Sequence, residues 1–79
     1  GFTVESLGRT GLKYTEGERS LFIDSQLLLG QPIMVIYQSS IRQWAPPHSD
    51  QNIDLVTRKR ILNNLRAAYL SQGDEIDIE

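Results

Sequence analysis

The chain has 79 residues, ten acidic and eight basic side chains, a formal net charge of −2 and no cysteine. This length predicts a single domain over residues 1–79. The lack of cysteine excludes disulfides and thiolate chemistry and favours a cytoplasmic protein. No stretch approaches the roughly 18 consecutive apolar residues of a membrane span, and a mildly acidic domain is a poor direct binder of nucleic acid.

The first third of the sequence predicts an antiparallel meander. Apolar and polar residues alternate in three short runs, which predict strands at 2–7, 12–15 and 20–24. Glycine-containing turns separate these runs, and Gly17 can adopt the positive φ that a tight hairpin needs. Hairpin-linked strands of this kind are expected to pair as neighbours.

The next third is less regular. Residues 27–29 are three consecutive leucines, which either extend the third strand or form one helical turn closed by Gly30. The apolar run 33–37 predicts a central strand covered on both faces. Pro46 and Pro47 then exclude a helix or a central strand, because proline lacks a backbone donor.

The last third predicts one helix and one strand. Asp54 and Thr57 are both suitable N-caps, and we favour Thr57. Apolar residues spaced for one buried helical stripe follow, namely Ile61, Leu62, Leu65, Ala68 and Tyr69. Gly73 predicts the helix stop, and alternating Ile76 and Ile78 predict a final strand at a sheet edge. The fold class is therefore α+β, with a single antiparallel β-sheet of four to six strands packed on one long helix in the C-terminal half.

Residues for catalysis or metal binding are not apparent. His48 is the only histidine, whereas a zinc site needs three or four converging ligands. His48, Ser49 and Asp50 are consecutive, which argues against a hydrolase triad, because the side chains of a triad must converge. We therefore expect no enzymatic activity, no metal and no cofactor.

Trp44, the only tryptophan, has two interpretations. It either closes one end of the small core, with Pro46 and Pro47 stiffening the loop around it, or it anchors a partner protein. We keep both, and place Trp44 among the candidate partner-binding residues.

Acidic residues supply the other candidate contacts. Residues 73–79 contain four acids and no base, whereas residues 53–72 contain four bases and one acid. The acids are either a solvated edge or a negative surface that steers a basic partner. The candidate acidic contacts are Glu16, Glu18, Asp24, Asp50, Asp74, Glu75, Asp77 and Glu79.

The segment from Tyr37 to Pro47 carries a family resemblance. Its S-I-x-x-W-x-P-P core, Ser40-Ile41-Arg42-Gln43-Trp44-Ala45-Pro46-Pro47, lies between the meander and the helix with Ile61 and Leu65. In this order of features the chain resembles small bacterial immunity proteins of polymorphic-toxin and contact-dependent growth inhibition systems, of the kind with a Trp-x-Pro-Pro motif. The resemblance covers most of the chain.

The resemblance implies that the chain binds and neutralises a cognate toxin domain, often a nuclease in such systems. Inhibition would come from blocking the active site or an adjacent exosite. The alternative is a small regulatory or scaffold domain that binds an acidic peptide or nucleic acid through Arg58, Lys59, Arg60 and Arg66.

Overall fold

The computed structural model describes residues 1–79, which form five strands and one long helix. Their bounds are β1 Phe2–Ser6, β2 Thr10–Glu16, β3 Arg19–Leu27, β4 Met34–Ile36, α1 Leu55–Leu70 and β5 Ile76–Ile78. A short 3₁₀ turn at Gln38–Ser40 follows β4. The predicted α+β fold with one helix in the C-terminal half is confirmed.

The five strands form one mixed sheet in the order β1-β2-β3-β4-β5. The first three pair antiparallel, as predicted for the meander, and β4 is also antiparallel to β3, but β5 pairs parallel to β4. The prediction of a purely antiparallel sheet is therefore wrong for its last strand. The physical reason is the connection, because a crossover that contains a helix returns the chain in the same direction.

The middle of the sheet differs in detail from the prediction. β3 continues to Leu27, so the leucine run begins as strand and ends in a turn, where the Leu28 N–H donates to the Ile33 carbonyl at 2.7 Å. The run 33–37 contributes the short strand β4, whose three residues are all buried as expected. However, β3 rather than β4 is the middle strand, because β5 alone lies beyond β4.

The inner face of the sheet packs against α1 and forms the core. Alternate residues of β2 and β3 point inward, and Ile61 and Leu65 from the helix are fully buried. The core cluster contains Leu12, Tyr14, Leu21, Ile23, Met34, Ile36, Ile41, Trp44, Ile53, Ile61, Leu65 and Ile76. This inward alternation leaves the opposite, outer face of the sheet without a helix.

The helix begins one turn earlier than we favoured. Asp54 is the N-cap: its backbone is extended and its Oδ1 accepts the Thr57 N–H at 2.7 Å. Thr57 lies inside the first turn, so the preference for it as the cap is wrong. The helix ends at Leu70, and Gly73 follows with a φ of +82°, a conformation that favours glycine.

Candidate partner-binding surface

The predicted acidic contacts do not form one cluster. Glu16 ends β2, Glu18 lies in the β2–β3 turn, Asp50 lies in the loop before α1, and the others lie along β3 and around β5. The sheet places Asp24 and the β5 acids together, while the residues of the β2–β3 turn lie toward the other end of β3. The two groups have different surroundings.

Glu16 is held by the protein itself. Arg60 on α1 forms a bidentate ion pair with the Glu16 carboxylate, in which Arg60 Nε lies 3.2 Å from Glu16 Oε2. The buried Tyr14 hydroxyl donates to the same Oε2 at 2.7 Å and accepts from Asn64 Nδ2 at 2.8 Å. These bonds tie the inner face of β2 to α1, so Glu16 has a structural role in the free protein.

The pKa values of this group follow from its geometry. The Arg60 guanidinium, hydrogen-bonded to Glu16, holds the pKa of that carboxyl below its ordinary value of 4.5. Burial raises the pKa of the Tyr14 phenol to about 12. At neutral pH the carboxylate is therefore charged and the phenol keeps the proton that it donates.

The second group of acids lies on the outer face near β5. Val35 pairs with Asp77 on one side and with Gln26 on the other, and the next position places Tyr37 between Asp24 and Glu79. Because neighbouring strands are about 4.8 Å apart, the backbones of Asp24 and Glu79 are about 10 Å apart on the same face. The register thus brings together carboxylates that are 55 residues apart in sequence.

Asp74 and Glu75 extend this acidic region around the start of β5. Gln31 holds both, because its Nε2 donates to Asp74 Oδ1 at 3.0 Å and its Oε1 accepts the Glu75 N–H at 2.8 Å. We call Asp24, Asp74, Glu75, Asp77 and Glu79 the acidic face. No Lys or Arg lies on the outer face of β3, β4 or β5.

Ser40, in the 3₁₀ turn after β4, fixes the backbone position of Asp24 in the acidic face. The Ser40 hydroxyl accepts the Asp24 N–H at 2.9 Å and donates to the Tyr37 carbonyl at 2.7 Å. It fills the gap where the ladder between β3 and β4 opens. The position of Asp24 relative to Tyr37 is therefore fixed by hydrogen bonds rather than left to a free loop.

Phe22 is a candidate contact that the sequence interpretation missed. It lies on the outer face of β3, two residues from Asp24, and is 60% exposed. Its partner across the ladder is Lys13, which in turn pairs with Glu5 on β1. The available signal was the alternation of β3, which puts one large aromatic residue on the polar face, and exposed aromatic residues are enriched in binding hot spots.

Trp44 takes the first of its two predicted roles. It is only 5% exposed and belongs to the core cluster, as do Ile41 and Ile53 from the same long connection. The Ala45 N–H that follows it donates to the Ser20 carbonyl at 2.7 Å, which fixes this loop against β3. A ring this buried presents no face to a partner, so we leave Trp44 out of the proposed surface.

Most of the basic residues of α1 already bind other groups of the same chain. Arg58 Nε donates to the Ile41 carbonyl at 3.2 Å, Arg60 binds Glu16, and Arg66 Nη1 lies 3.4 Å from the Ile76 carbonyl. These three guanidinium groups point to three different parts of the sheet and its loops. The helix therefore does not present a single basic stripe, which weakens the alternative of an acidic-peptide or nucleic-acid binder.

A groove borders the acidic face at the edge of the sheet. It has a volume of about 350 Å³ and is lined by Pro32, Arg66, Leu70 and the segment 74–77. No three or more His, Asp or Glu side chains converge to hold a metal ion. No helix has the length and apolar character needed to cross a membrane.

Aromatic residues are enriched in protein interfaces, so the exposed Phe22 beside the acidic face indicates a protein-binding domain. The particular family follows from comparison: the chain belongs to the family described as Immunity protein 74, which residues 4–79 match. It is therefore a small immunity protein, and its family implies a cognate toxin as partner. No curated protein and no solved structure matches the chain.

Proposed function

We propose that this immunity protein neutralises a nuclease toxin by covering its basic substrate cleft with the acidic face. The observation that carries the proposal is the register of β3, β4 and β5, which collects Asp24, Asp77 and Glu79 on one face. Nuclease clefts bind phosphates through Lys and Arg, so a surface of carboxylates whose backbone positions are fixed by the sheet complements them.

The exposed ring of Phe22 supports the same surface. Charge complementarity speeds encounter and sets orientation, whereas tight binding also needs a desolvated anchor. Phe22 lies on β3 next to the acidic face, where a partner that covers Asp24 would also cover the ring. The proposed surface thus combines an anchor with a charged margin.

In this proposal the chain acts by occupancy and performs no chemistry on the toxin. It acts in the cytoplasm, where a nuclease meets its substrate, as part of a polymorphic-toxin or contact-dependent growth inhibition pair. The acidic face can cover the cleft at the active site itself or at an adjacent exosite, and these are the two forms of the mechanism. Glu18 and Asp50, which lie away from the acidic face, stay predicted contacts.

The proposal is tested with the toxin domain encoded by the neighbouring gene. We expect the purified chain to inhibit cleavage of RNA or DNA by that domain at a one-to-one ratio. A short non-cleavable oligonucleotide should compete with the chain if the active site is occupied, and should bind alongside it if an exosite is occupied. A toxin that acts on no nucleic acid contradicts the nuclease assignment.

Matched charge reversals test the surface itself. Asp77→Lys and Glu5→Lys change the net charge equally and lie on the same outer face, but only Asp77 belongs to the acidic face. We expect Asp77→Lys to slow association by roughly tenfold at low salt and to weaken its salt dependence, while Glu5→Lys has a clearly smaller effect. Equal effects of the two substitutions contradict the proposed surface.

A further inference from the structure

Exposed apolar side chains gather at one end of this protein. Eight large hydrophobic residues are exposed, and five of them lie at the end where β3 meets β4. We call these five the leucine end: Leu7, Leu27, Leu28, Leu29 and Leu70. Of the other three, Leu55 and Val56 lie in the first turn of α1 and Phe22 on the outer face. Single exposed leucines are ordinary, but an apolar group of this kind marks an interaction site.

Backbone contacts bring the leucine end together. The Leu27 N–H donates to the Arg9 carbonyl at 2.9 Å, which places the end of β3 beside the β1–β2 turn that begins at Leu7. Pro32, in the β3–β4 turn, lines the same groove as Leu70 from the end of α1. Three separate parts of the chain therefore contribute leucine to one end of the molecule.

No other part of the chain covers this end. Leu29 is fully exposed at the tip of the β3–β4 turn, and Leu28 and Leu27 are each exposed by about 40%. The turn is nevertheless ordered by the bond from the Leu28 N–H to the Ile33 carbonyl and by the contacts of Gln31 with Asp74 and Glu75. An apolar tip on an ordered turn loses little conformational freedom when it is buried by a partner.

Resting on the proposed function, we infer that the leucine end is a second anchor, which inserts Leu29 into an apolar pocket rimmed by Lys or Arg on the toxin. The acidic face supplies the complementary charge, because Gln31 binds the Asp74 carboxylate and the Glu75 backbone N–H directly beside the leucine-bearing turn. A partner that buries Leu29 must therefore accept two carboxylates next to it.

The same charges disfavour the other occupants of an apolar surface. A two-fold contact between copies of this chain would bring the Asp74 and Glu75 of both copies together, and like charges repel. An anionic membrane surface would repel these two carboxylates as well, and Arg9 is the one basic residue in the two turns that carry the leucine end. A basic protein surface with an apolar pocket is the occupant that the charges favour.

The experiment compares Leu29→Ser with Leu55→Ser in binding to the cognate toxin domain. Both leucines are highly exposed, but Leu55 lies at the opposite end of α1 from Leu70. We expect Leu29→Ser to raise Kd about tenfold or more, mainly through faster dissociation at any salt concentration. Leu55→Ser should leave Kd within about twofold. Equal urea midpoints would show that both variants are folded.

Several results overturn the inference. Equal affinity of Leu29→Ser and the unaltered chain for the toxin would contradict the role of Leu29 as an anchor. The proposed function would still stand if Asp77→Lys slowed association. Absence of any complex with the toxin domain would contradict both the proposed function and the second anchor. A dimer of the free chain, or its binding to anionic vesicles, that Leu29→Ser abolishes would assign the leucine end to another occupant.

Discussion

Glu16 and Asp77 carry the same charge in the same sheet, but their surroundings are opposite. Glu16 ends β2 on the inner side, where Arg60 and the Tyr14 hydroxyl bind its carboxylate. Asp77 lies on the outer face of β5 and forms no ion pair. The contrast shows that an acidic residue holds this fold together or faces a partner according to the groups that tertiary structure brings to it.

The inner and outer faces of the sheet also differ in their aromatic residues, and substitutions there should give the largest difference in stability. Trp44→Ala should lower the free energy of unfolding by about 3–5 kcal/mol, because it leaves a cavity in the core. Phe22→Ala is the matched control: its ring faces solvent, so we expect a loss of less than about 1 kcal/mol. Urea denaturation followed by circular dichroism measures both.

The same pair of variants also separates stability from binding. Phe22→Ala should weaken toxin binding while remaining folded, whereas Trp44→Ala should affect binding only through the fraction that unfolds. If Trp44→Ala costs no more stability than Phe22→Ala, the placement of Trp44 in the core is wrong and its role as an anchor returns.

A smaller effect is expected from the hydroxyl that joins the sheet to the helix. Tyr14→Phe removes the donor to Glu16 and the acceptor for Asn64 and should cost about 1–2 kcal/mol in urea denaturation. Tyr37→Phe is the control, since its hydroxyl makes one long bond of 3.4 Å to Gln26 at an exposed site. Equal losses for the two variants would mean that the inner network contributes no more than a surface bond.

Much of this fold was predictable because hydrophobic period is a local signal. Alternation gave the strands, and the 3.6-residue stripe gave the buried face of α1 with Ile61 and Leu65. The direction of β5 was not predictable in this way, because pairing with β4 depends on the crossover rather than on the residues of Ile76–Ile78. The choice of Asp54 over Thr57 also failed, because both residues are good caps and their separation is only three positions.

The candidate surface was less predictable than the fold. Composition pointed to the acids, but Asp24 and Glu79 meet on one face only through the register of three strands. In the sequence nothing distinguishes Glu16 from the other acids, and only the fold brings Arg60, 44 residues away, into contact with it. Long-range partners of this kind carry no local signal, so a sequence can nominate charged residues without separating the structural ones from the free ones.

The smallest effect that we predict is a change in acid stability, and it isolates Glu16 from the acidic face. Its pKa is lower in the folded protein than the ordinary value of 4.5, so the unfolded chain binds this proton more readily. The resulting stabilisation is present above pH 4.5 and is lost as the pH falls through the lowered pKa. Glu16→Gln should therefore flatten the decline of the urea midpoint below pH 4.5, and Arg60→Gln, which removes the other member of the ion pair, should flatten it in the same way. An unchanged slope in Glu16→Gln would show that the Arg60 pair is not formed in solution, and Glu16 would then rejoin the acids available to a partner.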